Sequence, residues 1–248
     1  MQSFGQSFTV LPQVDSTNNY AMQQVHARLA KHGDTWFALD QTSGKGQRGK
    51  TWQSSVGENI IMSIVLTPSF LLPVHTFLLN AAVSLGAYDF FNKYAGNETC
   101  IKWPNDIFWG DRKAGGILIE NSMQSNNWLF AVAGLGININ QRHFGEGISG
   151  ITSLRLITGK SHDVLELARE LCRFLEQRYK MLESGNEALI LQDYRQAMYK
   201  LNKQVKFKTG SRYREAVVKG VSPDGLLVVE TGDKGEEKWP WGTVEWVL

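Results

Sequence analysis

The chain has 248 residues, of which 42% are hydrophobic and 20% are charged, and its formal net charge is +2. These values are typical of a globular protein with a substantial core, long enough for one large domain or for a domain and a small module. The charge is too small to require nucleic acid or a membrane surface as a partner. No apolar run reaches the roughly 18 residues that a membrane span needs.

The two cysteines, Cys100 and Cys172, are far apart in the sequence and lack metal-ligand spacing. We interpret them as buried free thiols in a reducing compartment. The N-terminal segment MQSFGQSFTVLPQV has no basic region followed by an apolar one, so we expect no signal peptide. These features predict a cytoplasmic protein.

The first predicted helix follows the segment VDSTNNY, where Ser16 or Thr17 is suited to accept a hydrogen bond from an unpaired amide of the first turn. Met22, Val25 and Leu29 then recur at helical spacing, and we expect the helix to run to about Lys31 and to end at His32-Gly33. His26 and His32 have no acidic or histidine partner at ligand spacing, and we interpret both as surface residues.

A loop rich in glycines and cations, QTSGKGQRGKTW at residues 41–52, separates predicted strands at residues 35–40 and 59–66. Glycine lets the backbone approach a ligand closely, and cations interleaved with exposed amides form an anion cradle. The loop therefore predicts a phosphate site, with a solvated basic turn as the alternative.

Two familiar nucleotide-binding patterns match this loop. Residues 44–51 fit the P-loop pattern and residues 44–49 fit the dinucleotide fingerprint. Each pattern requires a helix that begins at the loop, because the free amides of the helix N-terminus complete the phosphate site. The residues after Trp52 lack a helical period, and no later strand ends in a suitable aspartate. We interpret both matches as accidental.

The second informative stretch is TCIKWPNDIFWGDRKAGGILIE at residues 99–120, which predicts three strands joined by tight turns. Lys102 and Lys113 flank its Trp-Pro-Asn-Asp corner. Lys113 precedes the small residues Ala-Gly-Gly, where a ligand can come close to the backbone. Asp106 beside Asn105 supplies oxygen atoms of the hard type that magnesium prefers.

The remaining predicted elements are mainly structural. They are helices at residues 73–94, 162–182 and 186–198, a strand at 127–139, and a glycine-containing loop at 143–153. From residue 202 the chain changes to short alternating segments separated by turn signals, which predicts a small β-barrel. We therefore expect a domain boundary near residue 201.

Five motifs together resemble the biotin–protein ligase family: DSTN, the glycine loop closed by Trp52, KWPND, DRKxxGIL-E and GxGIN. They occur in the family's order and spacing, and the resemblance covers most of the chain. It implies an α/β (α+β) fold, with helices packed on a mixed sheet related to that of class II aminoacyl-tRNA synthetases. It also implies a catalytic biotin- and ATP-binding domain at residues 1–200 and an SH3-like β-barrel at residues 201–248.

The resemblance further implies an activity. Family members join biotin to ATP as biotinyl-5′-AMP, with Mg²⁺, and then pass biotin to a lysine of a biotin carboxyl carrier protein. Some members have an N-terminal helix-turn-helix that binds DNA. Here the DSTN motif begins at Asp15, so we expect the monofunctional kind, without DNA or a membrane as a partner. Monomer and homodimer both stay open.

By the same resemblance, site residues fall into three groups. The biotin-binding group is Ser16, Thr17, Asn18, Gln41, Gly44, Lys45, Gly46, Gln47, Lys113 and Gly116. The ATP-binding group is Arg48, Lys50, Trp52, Lys102, Asn105, Gly136 and Asn138. The catalytic group is Lys113, Arg48 and Asp106, and Asp106 is also the expected magnesium ligand.

The loop departs from the family pattern, which usually has arginine where this chain has Lys45, Gln47 and Lys50. Lysine keeps the charge but loses the bidentate fork of arginine, and Gln47 has no charge. These differences leave the expected activity in place and call into question how tightly the intermediate is held.

Three other functions remain as alternatives. A lipoate or octanoate ligase would use a related scaffold, although the RRxxGGGxVxHD-like signature associated with such proteins is absent. A P-loop NTPase would need a different fold. A non-catalytic biotin sensor, or an SH3-like interaction module, is the non-enzyme alternative.

Overall fold

The computed structural model describes residues 2–124, 127–145, 149–232 and 235–247. The larger of its two sheets contains β1 (Phe8–Leu11), β2 (Thr35–Ala38), β3 (Asn59–Leu66), β4 (Thr99–Lys102), β5 (Asp106–Trp109), β6 (Arg112–Gln124) and β7 (Asn127–Asn138). The helices are α1 (Thr17–His26), α2 (Thr76–Ala95), α3 (Leu154–Thr158), α4 (Val164–Glu183) and α5 (Glu187–Gln196). The C-terminal sheet contains β8 (Gln204–Thr209), β9 (Arg212–Val221), β10 (Leu227–Thr231), β11 (Gly235–Trp239) and β12 (Glu245–Trp246).

The larger sheet is mixed, which confirms the predicted fold class. Its strands lie in the order β1-β2-β3-β7-β6-β5-β4. The pairing of β1 with β2 is parallel, and the other neighbours are antiparallel. Strand β7 is therefore the central strand, and it lies between β3 and its hairpin partner β6.

Strand β3 explains how the two faces of the sheet are covered. All eight of its residues are buried. Successive side chains of a strand point to opposite faces, and Met62 and Ile64 join the main core on the side of α2 and α4. Val65 instead packs with Ala21 and Val25 of α1. A continuous apolar run is expected for a strand covered on both faces.

Helix α2 is apolar around most of its circumference because it lies between the sheet and α4. The predicted helix at residues 73–94 begins with a separate 3₁₀ turn, Pro73–His75, before α2 itself. Gly86 allows close approach of the two helices, since a Cβ there would lie 2.8 Å from the Cα of Leu175 in α4. Gly96, with a φ of 78°, ends α2 as the sequence predicts.

The first helix differs from the prediction at both ends. Ser16 is at the N-cap position, but its side chain accepts no capping hydrogen bond. The helix ends at His26, and not near Lys31, because Arg28 adopts a left-handed conformation with a φ of 60°. Strand β1, a four-residue strand at the edge of the sheet, was not predicted.

The interpretation of His32 as a surface residue is wrong, whereas His26 is exposed. The His32 ring lies between Phe4 and Tyr179, with ring centroids 5.3 and 5.1 Å away. Its Nδ1 accepts a hydrogen bond of 3.1 Å from the backbone N–H of Thr67. Burial lowers the pKa of this imidazole below its ordinary value.

The C-terminal strands form one antiparallel sheet in the order β11-β10-β9-β8-β12. This arrangement is consistent with the predicted SH3-like domain, and residue 201 remains our proposed boundary. The sheet is fastened to the rest of the protein because the Trp103 indole N–H donates to the carbonyl of Gly225 at 2.9 Å. Arg195 Nε also donates to the carbonyl of Val221 at 2.9 Å.

Two further sequence predictions concern loops and membranes. Part of the predicted loop at residues 143–153, residues 146–148, lies outside the described residues. In the described part of the chain, no helix is both long enough and apolar enough to cross a bilayer.

Candidate active site

A cleft of about 650 Å³ lies over β6 and is closed on one side by the C-terminal sheet. All the predicted site residues line it except Gly44 and Asn138. The motifs that were recognised separately in the sequence therefore meet in one place.

The glycine loop at residues 41–52 is folded back on itself. Its two arms are joined by hydrogen bonds from Trp52 N to Gly44 O at 2.9 Å and from Gly46 N to Lys50 O at 2.7 Å. Gly44 is required at the base of the loop, because a Cβ there would press against the Trp52 carbonyl and lie 2.8 Å from Gln41 Nε2. Gly44 lines a second, more open cavity, which the loop forms with Leu118 and Glu120, and not the cleft itself.

The loop lacks the helix that either nucleotide-binding pattern requires. It contains only a three-residue 3₁₀ turn, Gln47–Gly49, and the chain after Trp52 leads into β3. The interpretation of both pattern matches as accidental is confirmed.

One end of the cleft is neutral and rich in hydrogen-bonding groups. Gln41 Oε1 accepts from the backbone N–H of Thr17 at 2.8 Å. The hydroxyl of Ser63 in β3 lies 2.8 Å from Thr17 Oγ1 and 2.6 Å from Asn18 Oδ1. Thr17, Asn18 and Ser63 are all buried. The sequence did not point to Ser63, although a serine inside the apolar run NIIMSIVL is a signal that was available.

Glu120 of β6 connects this neutral end to the glycine loop. Asn18 Nδ2 donates to Glu120 Oε2 at 2.8 Å, and Lys45 Nζ lies 3.4 Å from Glu120 Oε1. Gly134 of β7 leaves room for Asn18, since a Cβ at Gly134 would lie 2.8 Å from Asn18 Cγ. Glu120 was part of the recognised DRKxxGIL-E motif but had no predicted role.

The middle of the cleft contains an ion pair between Lys113 and Asp106, whose Nζ and Oδ1 atoms are 2.7 Å apart. Both side chains are about one-third exposed and open to the cleft. A Cβ at Gly116 would lie 3.3 Å from each of these two atoms, so the glycine leaves the space beside the pair free. Trp52 lies over Gly136, where a Cβ would be 2.7 Å from Trp52 Cζ2.

Two amide side chains converge on the carbonyl of Ile117 in β6. Gln47 Nε2 donates to it at 3.2 Å, and the buried Asn105 also donates to it through Nδ2. Asn105 therefore holds the turn between β4 and β5 against β6, and Gln47 attaches the glycine loop to the same strand. Asn138 is buried outside the cleft, where its Nδ2 donates to Thr152 O at 3.0 Å. The ATP-binding role of Asn138 stays a prediction.

The other end of the cleft is cationic. Among the described residues, no carboxylate lies within 4.0 Å of the charged groups of Arg48, Lys50 or Lys102, all of which line the cleft. Burial lowers the pKa of Lys102, and the nearby cations Lys113 and Lys50 lower it further, while Asp106 opposes the shift. Unpaired cations facing one cavity form a site for an anion.

The C-terminal sheet supplies a wall of the cleft that the sequence did not reveal. Trp241, Gly242, Val244, Glu245 and Trp246 line the cavity from the segment that joins β11 to β12 and from β12 itself. These residues lie about 200 positions from the glycine loop, and no local pattern marks them as site residues.

The role of Asp106 as a magnesium ligand stays a prediction. This carboxylate is paired with an ammonium group, and the described residues contain no group of three or more His, Cys, Asp or Glu that could hold a metal. A single carboxylate supplies too few oxygen ligands to hold Mg²⁺ without a substrate, since the ion is usually bound by one or two carboxylates together with substrate phosphates.

Comparisons with known proteins found relatives that are named as ligases. The chain shares 29% identity over 228 residues with the bifunctional ligase/repressor BirA of Escherichia coli (strain K12), covering 91% of this chain and 70% of BirA. It shares 25% identity over 238 residues with the biotin–[acetyl-CoA-carboxylase] ligase of Paracoccus denitrificans, covering 93% and 97%.

The fold also matches the structure of biotin protein ligase from Aquifex aeolicus in complex with biotin and ATP. The TM-score is 0.83 at 24% identity, over 98% of this chain and 99% of the other. The model of the biotin/lipoate A/B protein ligase family matches residues 10–138, which include every recognised motif. This chain belongs to the biotin/lipoate A/B protein ligase family.

Proposed function

We propose that this protein activates biotin with ATP to form biotinyl-5′-AMP and then transfers biotin to a lysine of a carrier protein. The observation that carries the proposal is the division of a single cleft into a neutral hydrogen-bonding end and a cationic end, with Lys113 between them. The named activities of the relatives from Escherichia coli and Paracoccus denitrificans support the same reaction.

Strand β6 sets the length of the proposed biotin site. Lys113 and Leu118 are five residues apart on this strand, and a strand rises about 3.3 Å per residue, so the two ends of the site are roughly 17 Å apart. The neutral biotin ring would lie at the end formed by Thr17, Asn18 and Gln41. Its carboxylate would then reach Lys113 while its chain passes over Gly116.

The cationic end suits the phosphates of ATP. In the first step, a biotin carboxylate oxygen attacks the α-phosphorus, the bond to the bridging oxygen breaks, and pyrophosphate leaves. This reaction brings two anions together, so fixed cations lower its barrier. Arg48, Lys50 and Lys102 have no carboxylate partner in the described chain and are free to bind phosphate oxygens. Magnesium would arrive with the nucleotide.

In the second step, an acceptor amine attacks the acyl carbon, AMP leaves, and the amine loses a proton. The lysine of a biotin carboxyl carrier protein is the acceptor we propose, by likeness to the ligase of Paracoccus denitrificans. We also propose a reducing, cytoplasmic location. The two thiols are free, and burial raises the pKa of each to about 12.

The direct test is transfer to a defined acceptor. The purified protein, ATP, Mg²⁺ and biotin are incubated with a biotin carrier domain, and the acceptor lysine is located by mass spectrometry. A carrier domain with that lysine changed to arginine is the matched control. Transfer to the native domain alone is expected. Equal labelling of both domains, or none at all, would contradict the proposal.

A further inference from the structure

We propose that Trp241 and Trp246 of the C-terminal sheet are positioning residues that aim Arg48 and Lys102 at the phosphates of ATP. The inference rests on the proposed function only in naming ATP as the ligand of the cationic end.

Each tryptophan lies over one cation of the cleft. The Cζ atom of Arg48 is 5.6 Å from the centroid of the Trp241 ring, and Nζ of Lys102 is 5.9 Å from that of Trp246. Cations within about 6 Å of an aromatic face are attracted to it. The same short segment of chain therefore contacts two of the three cleft cations, Arg48, Lys50 and Lys102, that have no carboxylate partner among the described residues.

Arg48 is fixed by more than its aromatic contact. Its Nη1 donates to the carbonyl of Gly242 at 3.0 Å. Its backbone has a φ of 56° and a ψ of 39°, a conformation that residues other than glycine seldom adopt unless surrounding contacts hold it. Gly242 has a φ of 87°, and a Cβ there would lie 3.0 Å from the guanidinium. The close approach therefore depends on glycine at position 242.

Lys102 contacts two aromatic rings. Its Nζ lies 4.9 Å from the centroid of the Phe108 ring and 5.9 Å from that of Trp246. No carboxylate of the described residues is within 4.0 Å to neutralise it. An aromatic contact restrains a lysine without cancelling its charge, whereas a carboxylate would compete with the phosphate. Lys102 is thus restrained and still available to an anion.

The segment that carries the two tryptophans is itself anchored at both ends. Trp239 is buried against Phe207 at the end of β11. At the other end β12 pairs with β8, and Val247 N donates to Lys206 O at 2.9 Å. The backbone that carries the two rings is consequently held by the C-terminal sheet. The Trp246 ring also packs on Phe207, with ring centroids 4.8 Å apart, whereas the Trp241 ring is 44% exposed and lies against Arg48.

The test uses the full-length variants Trp241→Leu and Trp246→Leu, with binding of pyrophosphate, adenosine and biotin measured by calorimetry. Each variant is expected to weaken pyrophosphate binding about tenfold, equivalent to about 1.4 kcal/mol. Adenosine and biotin binding should change little. Trp241→Phe and Trp246→Phe keep an aromatic face and should restore most of the affinity. Equal weakening of adenosine would show that the rings contact the base, and would overturn the proposal.

Two controls separate positioning from damage to the fold. Tyr213→Leu removes a similar contact, with Lys206 at 4.7 Å, in the same sheet but outside the cleft, and it should not alter pyrophosphate binding. In a Lys102→Met background, Trp246→Leu should have no further effect on pyrophosphate, because residues that act through each other are not additive. A second tenfold loss in that background would contradict the proposal.

These measurements distinguish this inference from the proposed function. Pyrophosphate binding does not require biotin activation. If the native protein makes no biotinyl-adenylate but the tryptophan variants lose pyrophosphate selectively, the proposed function fails and the positioning role stands. If biotinyl-adenylate forms normally and pyrophosphate binding is unchanged in all the variants, the positioning role fails alone.

Discussion

The ammonium group of Lys113 lies 2.7 Å from a carboxylate oxygen of Asp106, across the paired strands β5 and β6. The pair is open to the cleft, and the missing side chain of Gly116 leaves space beside it. A reacting carboxylate or phosphate that enters this space meets a fixed cation whose position is set by the strand pairing.

We expect Lys113→Ala to slow formation of biotinyl-adenylate about 100-fold or more, because a cation at the reacting phosphate is lost. The change also leaves Asp106 as an unpaired negative charge facing the phosphate. Biotin binding should weaken much less, since the neutral end of the cleft is untouched. Single-turnover kinetics and equilibrium binding measure the two effects. Lys203→Ala, at an exposed position outside the cleft, is the control. A rate for Lys113→Ala within a few-fold of the native rate would show that this lysine has no catalytic role.

Ser63→Ala should raise the KM for biotin about 5- to 30-fold, corresponding to one or two hydrogen bonds of about 1 kcal/mol each. The hydroxyl lies within hydrogen-bond distance of both Thr17 and Asn18, so its loss frees two side chains of the neutral end. The KM for ATP should stay unchanged. Ser84→Ala is a matched control, because Ser84 is buried in α2 and its hydroxyl has no hydrogen-bond partner among the described residues. A parallel rise in both KM values would indicate a general loss of structure.

Gln47→Arg should slow the release of preformed biotinyl-adenylate about 5- to 100-fold, given a gain of about 1–3 kcal/mol at most. Gln47 lines the cleft, and in the native protein its side-chain amide donates to the carbonyl of Ile117. An arginine could reach the phosphate with a charge that glutamine lacks. The measurement is the dissociation rate of labelled adenylate. Gln53→Arg makes the same change outside the cleft and should have no effect. Identical rates for the native protein and Gln47→Arg would mean that residue 47 does not contact the adenylate.

The half-buried His32 should make stability depend on pH. Burial lowers its pKa in the folded protein below the unfolded value of about 6.5, so the folded state favours the neutral ring. The stabilisation is fully present above pH 6.5 and is lost as the pH falls towards the folded pKa. The free energy of unfolding in urea, measured from pH 7.5 to 5, should fall less in His32→Gln than in the native protein. His26→Gln, at an exposed position, should follow the native curve, and a matching curve for His32→Gln would refute the assignment.

Much of the fold could be predicted from local patterns. The turn at Pro104 separates β4 from β5, and the turn at Gly110 separates β5 from β6. The unbroken apolar run of β3 follows from burial on both faces. Strand β1 was missed because four residues at a sheet edge give a weak periodic signal. The end of α1 was misjudged because the break at Arg28 has no glycine or proline to mark it.

The site was predictable only where its residues belong to contiguous motifs. The glycine loop and the Trp-Pro-Asn-Asp corner could be read in that way. Contacts between residues that are far apart in the sequence could not be predicted in this way. The hydrogen bond from Arg48 to Gly242, for example, joins residues that are 194 positions apart. Ser63 contacts Asn18 because of how the elements of the larger domain pack, and Trp246 lines the cleft because of where the C-terminal sheet lies. Neither position follows from a local sequence pattern.

The central claim is that this cleft activates biotin, and the most direct measurement is of the adenylate itself. The protein is incubated with ATP labelled at the α-phosphate, Mg²⁺ and either biotin or lipoate, and the products are separated by chromatography. We predict labelled biotinyl-5′-AMP and an equal amount of pyrophosphate with biotin, and no acyl-adenylate with lipoate. Lipoyl-adenylate without biotinyl-adenylate would contradict the substrate assignment, and hydrolysis of ATP to ADP without either adenylate would contradict the proposed reaction.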